Sequence, residues 1–403
     1  MSKASYKGLH EYYKDKDFKP TFTGFTTDAQ LDRYEIGRRA VFRDLLHLPP
    51  SVFEGARVCE FGPDTGENAL VFARWGAQMT LVEPHAAAWD EIRAHFKRYG
   101  LTDKLEAIVG ETIEDFQSEK KFDVIVAEGF IYTVQPSELW LKKFASLLVP
   151  GGLAVASYLD RAGCLFELLW TLCYTRYQEL AGEKGIDAAW SIFEPKWNSI
   201  PHTRPFESWV RDVLENPYVR LKYLIDPAEL SSAAFNLGLS MYSSWPRYED
   251  PFHPFWHKGI PAEKTLKERR RAFIERSRLS FAFARQLFVI SSTRRTAEIN
   301  ASVLALVGAI DDLIDKWSAA RLADARAAIS VLDSALSGAD VMADDTGRAD
   351  ARAVLASLRA LFDLFGKGDA APVREFLRTD RALIDIWGST THYMVLRPGE
   401  PGR

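Results

Sequence analysis

The sequence predicts an α/β fold in which a doubly wound, mostly parallel sheet carries an inserted cap and a C-terminal helical bundle. Short apolar runs alternate with longer amphipathic runs over residues 57–158, which is the pattern of parallel strands covered by helices. A glycine-containing turn follows the first apolar run, as it does in nucleotide-binding sheets. After residue 292 the apolar residues recur at helical spacing instead.

The first part of the sheet is predicted from five strands and three helices. The strands are expected at 57–61, 79–82, 105–109, 122–127 and 152–157, and the helices at 68–75, 86–98 and 137–148. Pro150, Gly151 and Gly152 end the third helix, since neither proline nor glycine continues a helix well. Two later apolar runs, 237–245 and 286–292, are predicted to be further strands of the same sheet.

The chain is predicted to have three parts. Residues 1–56 form an N-terminal helical lid, residues 57–292 form the sheet domain, and residues 293–403 form the C-terminal helical bundle. Insertions at about 159–236 and 246–285 are expected to form a cap, because they interrupt the late strands. The segments SGADVMADDTG and GKGDAAP separate the helices of the bundle, since their residues favour turns.

The composition excludes several classes of protein. With 47% hydrophobic and 26% charged residues, the chain has the make-up of a globular protein, and its three cysteines show no disulfide or metal spacing. No apolar run reaches the roughly 20 residues of a membrane span, so we expect a cytoplasmic protein without stable membrane insertion. A net charge of −4 argues against DNA binding.

The most informative motif is RVCEFGPDTGENALVFARWGAQMTLVEP, residues 57–84, which reads as strand, turn, helix, strand and acidic residue. The turn from Gly62 to Gly66 would expose backbone amides to a ligand. Glu83, about 20 residues further on, would accept hydrogen bonds from both hydroxyls of an unphosphorylated ribose. The order of these features predicts a nucleotide site.

A dinucleotide cofactor is the main alternative, because it uses the same sheet and the same acidic residue. Its pyrophosphate requires a second glycine, however, and Asp64 stands at that place. A carboxylate would repel a pyrophosphate but would tolerate the sulfonium and ammonium groups of S-adenosyl-L-methionine. The turn therefore favours the sulfonium cofactor.

With the glycine turn, the ribose carboxylate and the PGG sequence in this order, residues 57–158 resemble the class I S-adenosylmethionine-dependent methyltransferase family. The resemblance implies a Rossmann-like fold and S-adenosyl-L-methionine as the cofactor. Asp64 departs from the family, which more often has glycine there, and it would also line the site. The resemblance assigns Glu60, Gly62 and Gly66 to the methionine part, Glu83 to the ribose, Glu111 to the adenine and Glu128 to the transferred methyl group. Thr112, next to Glu111, is also expected to bind the cofactor.

Methyl transfer to a poorly acidic hydroxyl needs a base. His202 and Arg204 in the first insertion are our first candidates for catalysis, because the insertions leave the sheet near the strand ends where ligands bind. His253, His257, Tyr132 and Glu128 are the further candidates for the base. Any of the histidines could instead simply pack in a loop. No ligand pattern for a metal is found, so we expect metal-independent chemistry.

The segments after the fifth strand are also similar to methyltransferases found with bacterial surface-polysaccharide genes. The similarity ranks the acceptors as a sugar or other small molecule, then a protein side chain, then RNA. We therefore predict a methyltransferase that acts on a hydroxyl or amine of a small molecule. The alternative is a non-catalytic cofactor-binding protein that interacts through the C-terminal helices, which could also form a homo-oligomer.

Overall fold

The computed structural model describes residues 6–16, 18, 27–201, 204–250, 261–290 and 292–399. The chain divides into two compact units, each assembled from separate stretches of sequence. Unit 1 comprises residues 1–158, 227–271 and 392–403, and unit 2 comprises residues 159–226 and 272–391. The chain passes from one unit to the other four times, after residues 158, 226, 271 and 391, and none of these crossings coincides with the predicted boundary at residue 292.

Unit 1 is built on a seven-stranded sheet with the strand order β3-β2-β1-β4-β5-β9-β6. Its strands are β1 (Arg57–Phe61), β2 (Gln78–Val82), β3 (Leu105–Val109), β4 (Phe122–Ala127), β5 (Leu148–Leu159), β6 (Leu239–Trp245) and β9 (Thr391–Pro398). The pairs among β1 to β5 are parallel, and β9 is antiparallel to β6. The strand order changes direction between β1 and β4, and ligands bind at such a switch point.

The helices of unit 1 cover this sheet. They are α1 (Tyr6–Asp15), α2 (Asp28–Arg39), α3 (Glu67–Arg74), α4 (Ala86–Arg98), α5 (Glu138–Leu147), α9 (Pro227–Asn236) and the first half of α10 (Glu263–Phe283). A reciprocal pair of hydrogen bonds between Thr27 and Gln30 caps the start of α2. A π-helical segment, Ala40–Leu45, continues α2 and buries Phe42 beside Phe72 of α3, with ring centroids 5.1 Å apart. The part of the core where the segment after α2 meets α3 is therefore aromatic.

Unit 2 is mainly helical. It contains α6 (Leu165–Ala181), α7 (Gly185–Trp197), α8 (Phe206–Trp209), the second half of α10, α11 (Thr293–Asp315), α12 (Ala319–Ser337), α13 (Asp345–Lys367), α14 (Ala370–Thr379) and α15 (Arg381–Asp385). A single apolar cluster joins these helices, with Leu169 of α6, Leu306 of α11 and Leu358 of α13 all completely buried. The helices predicted after residue 293 are thus present, but they share their core with residues 159–226.

Two predictions about the late strands need correction. The run 286–292 is not a strand of the main sheet, because β7 (Leu287–Val289) pairs only with β8 (Val341–Ala343) in a separate two-stranded sheet. The seventh strand of the main sheet is instead β9, in a region that was predicted to belong to the C-terminal helical bundle. Local periodicity shows that a run is extended, but it does not show which distant strand it pairs with.

Two expectations from composition can be compared with the structure. Cys59, Cys164 and Cys173, whose spacing suggested neither a disulfide nor a metal site, are all free and buried. Among the described residues, no helix is both long and apolar enough to cross a membrane.

The position of β9 inside the sheet generates a prediction. Val395 of β9 is completely buried, so the substitution Val395→Asp would place an unpaired charge in the core. We expect it to lower the melting temperature by about 10 °C or more in differential scanning calorimetry. Tyr242→Asp on the edge strand β6 is the matched control, because that side chain is 45% exposed. Equal melting temperatures for the two variants would contradict the placement of β9.

Candidate active site

The turn after β1 has a backbone that only a few residue types adopt. Gly62, Asp64 and Gly66 have φ angles of 64°, 50° and 86°, all in the left-handed region. Aspartate is one of the few residues besides glycine and asparagine that visits this region, which explains why it can stand at position 64. A Cβ atom on Gly66 would also lie 3.1 Å from the side chain of Ile92. The turn therefore needs glycine for its own geometry, whether or not a ligand is bound.

Glu83 connects this turn to the end of β2. The side chain is 3% exposed, its Oε2 accepts from the backbone N–H of Asp64 at 3.1 Å, and its Oε1 accepts from that of His85 at 2.7 Å. Burial, reinforced by the Asp64 carboxylate, raises the pKa of Glu83 to about 8 against the effect of the two amides. Each carboxylate oxygen has two acceptor sites. Glu83 can consequently accept further hydrogen bonds while it holds the turn.

Glu60 is a buried acid near the end of β1. It is 2% exposed, and its Oε2 has no hydrogen-bond partner among the described residues. Burial and the nearby Glu128 carboxylate raise the pKa of Glu60 to about 8, although Arg38 opposes this shift. A buried acceptor of this kind is costly unless something pairs with it. Glu60 is therefore suited to a cationic or hydrogen-donating ligand.

Arg38 of α2 supplies the positive charge at this end of the sheet. Its Nη2 lies 2.5 Å from Oε1 of Glu128, and the hydroxyl of Tyr393 in β9 donates to Oε2 of Glu128 at 3.1 Å. The side chains of Arg38 and Glu128 are about 10% exposed, and the guanidinium lies over the ring of Phe42 at 4.9 Å. Within the described part of the chain, Nε of Arg38 is buried without a partner. Both oxygens of Glu128 are thus engaged, while one donor of Arg38 is left over.

Sequence reasoning missed Arg38 and Tyr393. Arg38 lies well before the glycine turn, and nothing local distinguishes it from Arg33 or Arg39. The one available signal was indirect, since acids at the ends of neighbouring strands require a counter-charge. Tyr393 could not be found at all without knowing that β9 returns to the sheet.

Of Glu111 and Thr112, which were predicted to bind the cofactor, only Thr112 is buried. Glu111 is exposed, whereas Thr112 is 6% exposed and its hydroxyl donates to Asp115 at 3.0 Å. Trp89 of α4 lies nearby, because its Nε1 donates to the carbonyl of Glu83 at 2.9 Å and a Cβ on Gly110 would come within 2.8 Å of its ring. Trp89 is therefore a flat side chain between the ends of β2 and β3 that the sequence analysis did not identify.

The residues predicted to take part in catalysis do not all lie in the part of the chain that the structure describes. His202, His253 and His257 lie outside the described residues. Arg204 belongs to unit 2, where its Nη1 lies 2.6 Å from Oδ2 of Asp212. Tyr132 belongs to unit 1 and is 4% exposed. The roles predicted for His202 and Arg204 remain predictions.

A family model described as "Methyltransferase domain" matches residues 33–242 of the chain. Among curated proteins, the chain is similar to the ubiquinone biosynthesis O-methyltransferase of Nitrobacter winogradskyi, at 31% identity over 28% of this chain and 42% of that protein. It is also similar to the protein of the same name from Maricaulis maris, at 28% identity over 41% of this chain and 58% of that protein. The chain thus spans between 42% and 58% of the length of these two relatives.

Two solved structures are also similar to the chain. The N-methyltransferase NodS from Bradyrhizobium japonicum, in complex with S-adenosyl-L-homocysteine, is 15% identical over 40% of this chain and 76% of that chain, with a TM-score of 0.29. PKMT2 from Rickettsia typhi, in complex with AdoHcy, is 21% identical over 50% of this chain and 42% of that chain, with a TM-score of 0.33.

The raised pKa of Glu60 predicts an effect of pH on stability. Because the folded protein holds this proton up to about pH 8 and the unfolded chain releases it near its ordinary value, the free energy of unfolding falls as pH rises between them. Glu60→Gln removes this difference. Without cofactor, we expect the variant to melt several degrees above the wild type at about pH 8.5 and together with it at about pH 5.

Thermal melts across this pH range provide the measurement. Glu111→Gln is the matched control, because it makes the same substitution at an exposed carboxylate. A melting-temperature difference for Glu60→Gln that stays constant with pH would show that the Glu60 carboxyl titrates normally.

Proposed function

Because this chain belongs to the family of S-adenosylmethionine-dependent methyltransferases, we propose that it transfers a methyl group to a hydroxyl or amine of a small molecule. The observation that carries the proposal is the pair of unpartnered buried atoms, Oε2 of Glu60 and Nε of Arg38, within the described residues beside the glycine turn. One is an acceptor on an acid and the other a donor on a base. Together they complement a ligand that bears both an ammonium and a carboxylate.

S-adenosyl-L-methionine fits this set of residues. Glu60 would hold the ammonium of its amino-acid part, and Arg38 would hold the carboxylate through Nε. Glu83 would accept hydrogen bonds from the ribose hydroxyls, and Trp89 would lie beside the adenine together with Thr112. Since Arg38 is on α2, this arrangement also supports a lid role for the N-terminal helices.

When bound, the cofactor supplies a methyl group on a positively charged sulfur, so the chain itself must mainly orient the acceptor and remove its proton. Glu128 is poorly suited to remove that proton, because a proton on its carboxylate would disrupt the ion pair with Arg38. We propose His202 as the base, with Arg204 orienting an anionic or polyhydroxylated acceptor. Both lie in the segment that follows the fifth strand in sequence.

The acceptor is proposed to be a hydroxyl of a small molecule, with a sugar as the first class to test. The two relatives from Nitrobacter winogradskyi and Maricaulis maris are named O-methyltransferases of ubiquinone biosynthesis, which supports a hydroxyl as the acceptor. The aromatic and basic residues of 159–226 support a polar ring-shaped acceptor over a long peptide.

The cofactor site generates a binding prediction. Burial holds Glu60 and Glu83 largely protonated below about pH 8, whereas hydrogen bonds and charge from the cofactor favour their carboxylates. Binding of S-adenosylhomocysteine at about pH 7 should therefore release protons, as measured by calorimetry in buffers of different ionisation enthalpy. Glu83→Gln should weaken binding by roughly 10- to 100-fold and reduce the proton release.

Asp90→Asn is the matched control, because that side chain is 98% exposed on α4. A wild type that binds NAD and neither sulfur compound would disprove the cofactor assignment. If Glu83→Gln binds S-adenosylhomocysteine as tightly as the wild type, only the role proposed for Glu83 would be wrong.

The proposed base is tested separately from the cofactor. Labelled cofactor should first be screened with sugars, nucleotide sugars, amines and peptides to find an acceptor. His202→Ala should then keep its affinity for S-adenosylhomocysteine and lose about 10²- to 10⁴-fold in turnover. His253→Ala and His257→Ala are the matched comparisons. Wild-type turnover by His202→Ala, with a loss in either comparison, would transfer the assignment to the second insertion.

A further inference from the structure

Arg38 reaches the candidate active site from α2, so its position depends on how α2 packs in unit 1. Its guanidinium pairs with Glu128 and lies over two aromatic rings, 4.9 Å from the centroid of Phe42 and 5.8 Å from that of Phe72. Phe42 belongs to the segment that continues α2, whereas Phe72 belongs to α3 and Glu128 follows β4. Arg38 therefore keeps its contacts with Phe72 and Glu128 only while α2 stays packed on α3.

Glu35, which precedes Arg38 in α2, makes polar contacts with the end of α3. The Glu35 side chain is 10% exposed, its Oε1 accepts from Nε1 of Trp75 at 3.0 Å, and its Oε2 lies 3.3 Å from Nε of Arg74. Arg39 of α2 also donates to Oε1, at 2.5 Å. A buried carboxylate is costly unless cations and hydrogen-bond donors compensate it. Glu35 has both, and they come partly from α3.

Trp75 belongs to the aromatic group that supports Arg38. The centroid of its ring lies 6.0 Å from that of Phe42 and 5.7 Å from that of Phe72, and both phenylalanines are completely buried. These are the two rings over which the Arg38 guanidinium lies. The hydrogen bond from Trp75 to Glu35 therefore joins α2 to the rings beneath Arg38.

A second acid of α2 pairs with α3 in a different environment. Oδ1 of Asp32 lies 2.9 Å from Nη1 of Arg74, but the Asp32 side chain is 56% exposed. An ion pair at that exposure contributes little to stability, because water solvates both charges when the pair is broken. Of the two acids that contact Arg74, Glu35 is consequently the one whose loss should release α2.

All of these contacts join groups of the chain itself. The packing of α2 on α3 therefore does not require the cofactor, and the donor on Nε of Arg38 is in place before a ligand arrives. A donor that is already ordered lowers the entropic cost of binding. Changes in the packing of α2 should consequently appear as changes in cofactor affinity.

We propose that Glu35 is a positioning residue for cofactor binding. It holds α2 on α3, and it thereby keeps Nε of Arg38 where the carboxylate of the cofactor would bind. Glu35 acts through Arg38 and makes no contact with the cofactor itself. Because this role depends on the one given to Arg38, the assignment rests on the proposed function.

Hydrogen exchange of the full-length protein without cofactor tests the packing of α2. Glu35→Ala removes the acceptor of the Trp75 indole, so amides of α2 should exchange about fivefold faster, whereas amides of β1 should exchange as in the wild type. Asp32→Ala is the matched control, since it removes the exposed partner of the same arginine. Unchanged exchange in α2 of Glu35→Ala would overturn the proposal. An equal acceleration in α2 and β1 would also overturn it, because it would show a general loss of stability.

Affinity for S-adenosylhomocysteine, measured by calorimetry, tests the consequence. Glu35→Ala should weaken binding about five- to tenfold, and Glu35→Gln should weaken it less, because an amide oxygen can still accept from Trp75. Asp32→Ala should bind like the wild type. Arg38→Lys keeps a positive charge beside Glu128 but lacks Nε. In that background, Glu35→Ala should change the affinity by no more than about twofold.

The affinities can also overturn the proposal. Wild-type affinity in Glu35→Ala would do so, even if α2 exchanges faster. A loss that is equally large in the Arg38→Lys background would do so as well, because Glu35 would then act independently of Arg38. A failure of the proposed function is distinguishable from both. If the wild type binds no S-adenosyl compound, the cofactor assignment and the role of Glu35 in binding are refuted, while faster exchange in Glu35→Ala would still show that Glu35 holds α2.

Discussion

The ion pair between Arg38 and Glu128 is the interaction on which the candidate active site depends. The carboxyl edge of the sheet buries the acids Glu60 and Glu83 and leaves Glu128 about 10% exposed, and carboxylates in such surroundings repel one another unless a cation compensates them. Arg38 supplies that cation from α2, and it favours the ionised form of Glu60 while it neutralises Glu128. Helix α2 is therefore part of the electrostatics of the site.

Much of the fold could be predicted because its signals are local. The first five strands and their helices follow from apolar periodicity within short windows, and the turn from Gly62 to Gly66 follows from residues that accept left-handed backbone. The position of β9 could not be predicted, because its pairing with β6 joins residues that are far apart in sequence. The apolar run that contains Leu287–Val289 was predicted to be a strand of the main sheet. It instead pairs with the short antiparallel strand β8.

The candidate site was predictable to a similar extent. Glu83 and the glycines stand in a fixed order within one βαβ unit, so their positions follow from the motif. The environment of Glu128 does not follow from the motif, since its partners Arg38 and Tyr393 come from distant parts of the chain. Sequence patterns locate a carboxylate at the end of a strand, but the partners brought by tertiary structure determine whether it can act as a base.

The interior position of β9 has a consequence for biosynthesis. The chain from Leu159 to Thr391 must leave the ribosome before β9 can enter the sheet. Until then, β5 and β6 lack the neighbour that separates them, and their main-chain amides and carbonyls remain open to other chains. Domains generally fold as units during synthesis, yet here unit 1 is completed only after the helices of unit 2. The order of synthesis consequently leaves these two strand edges unpaired until β9 is available.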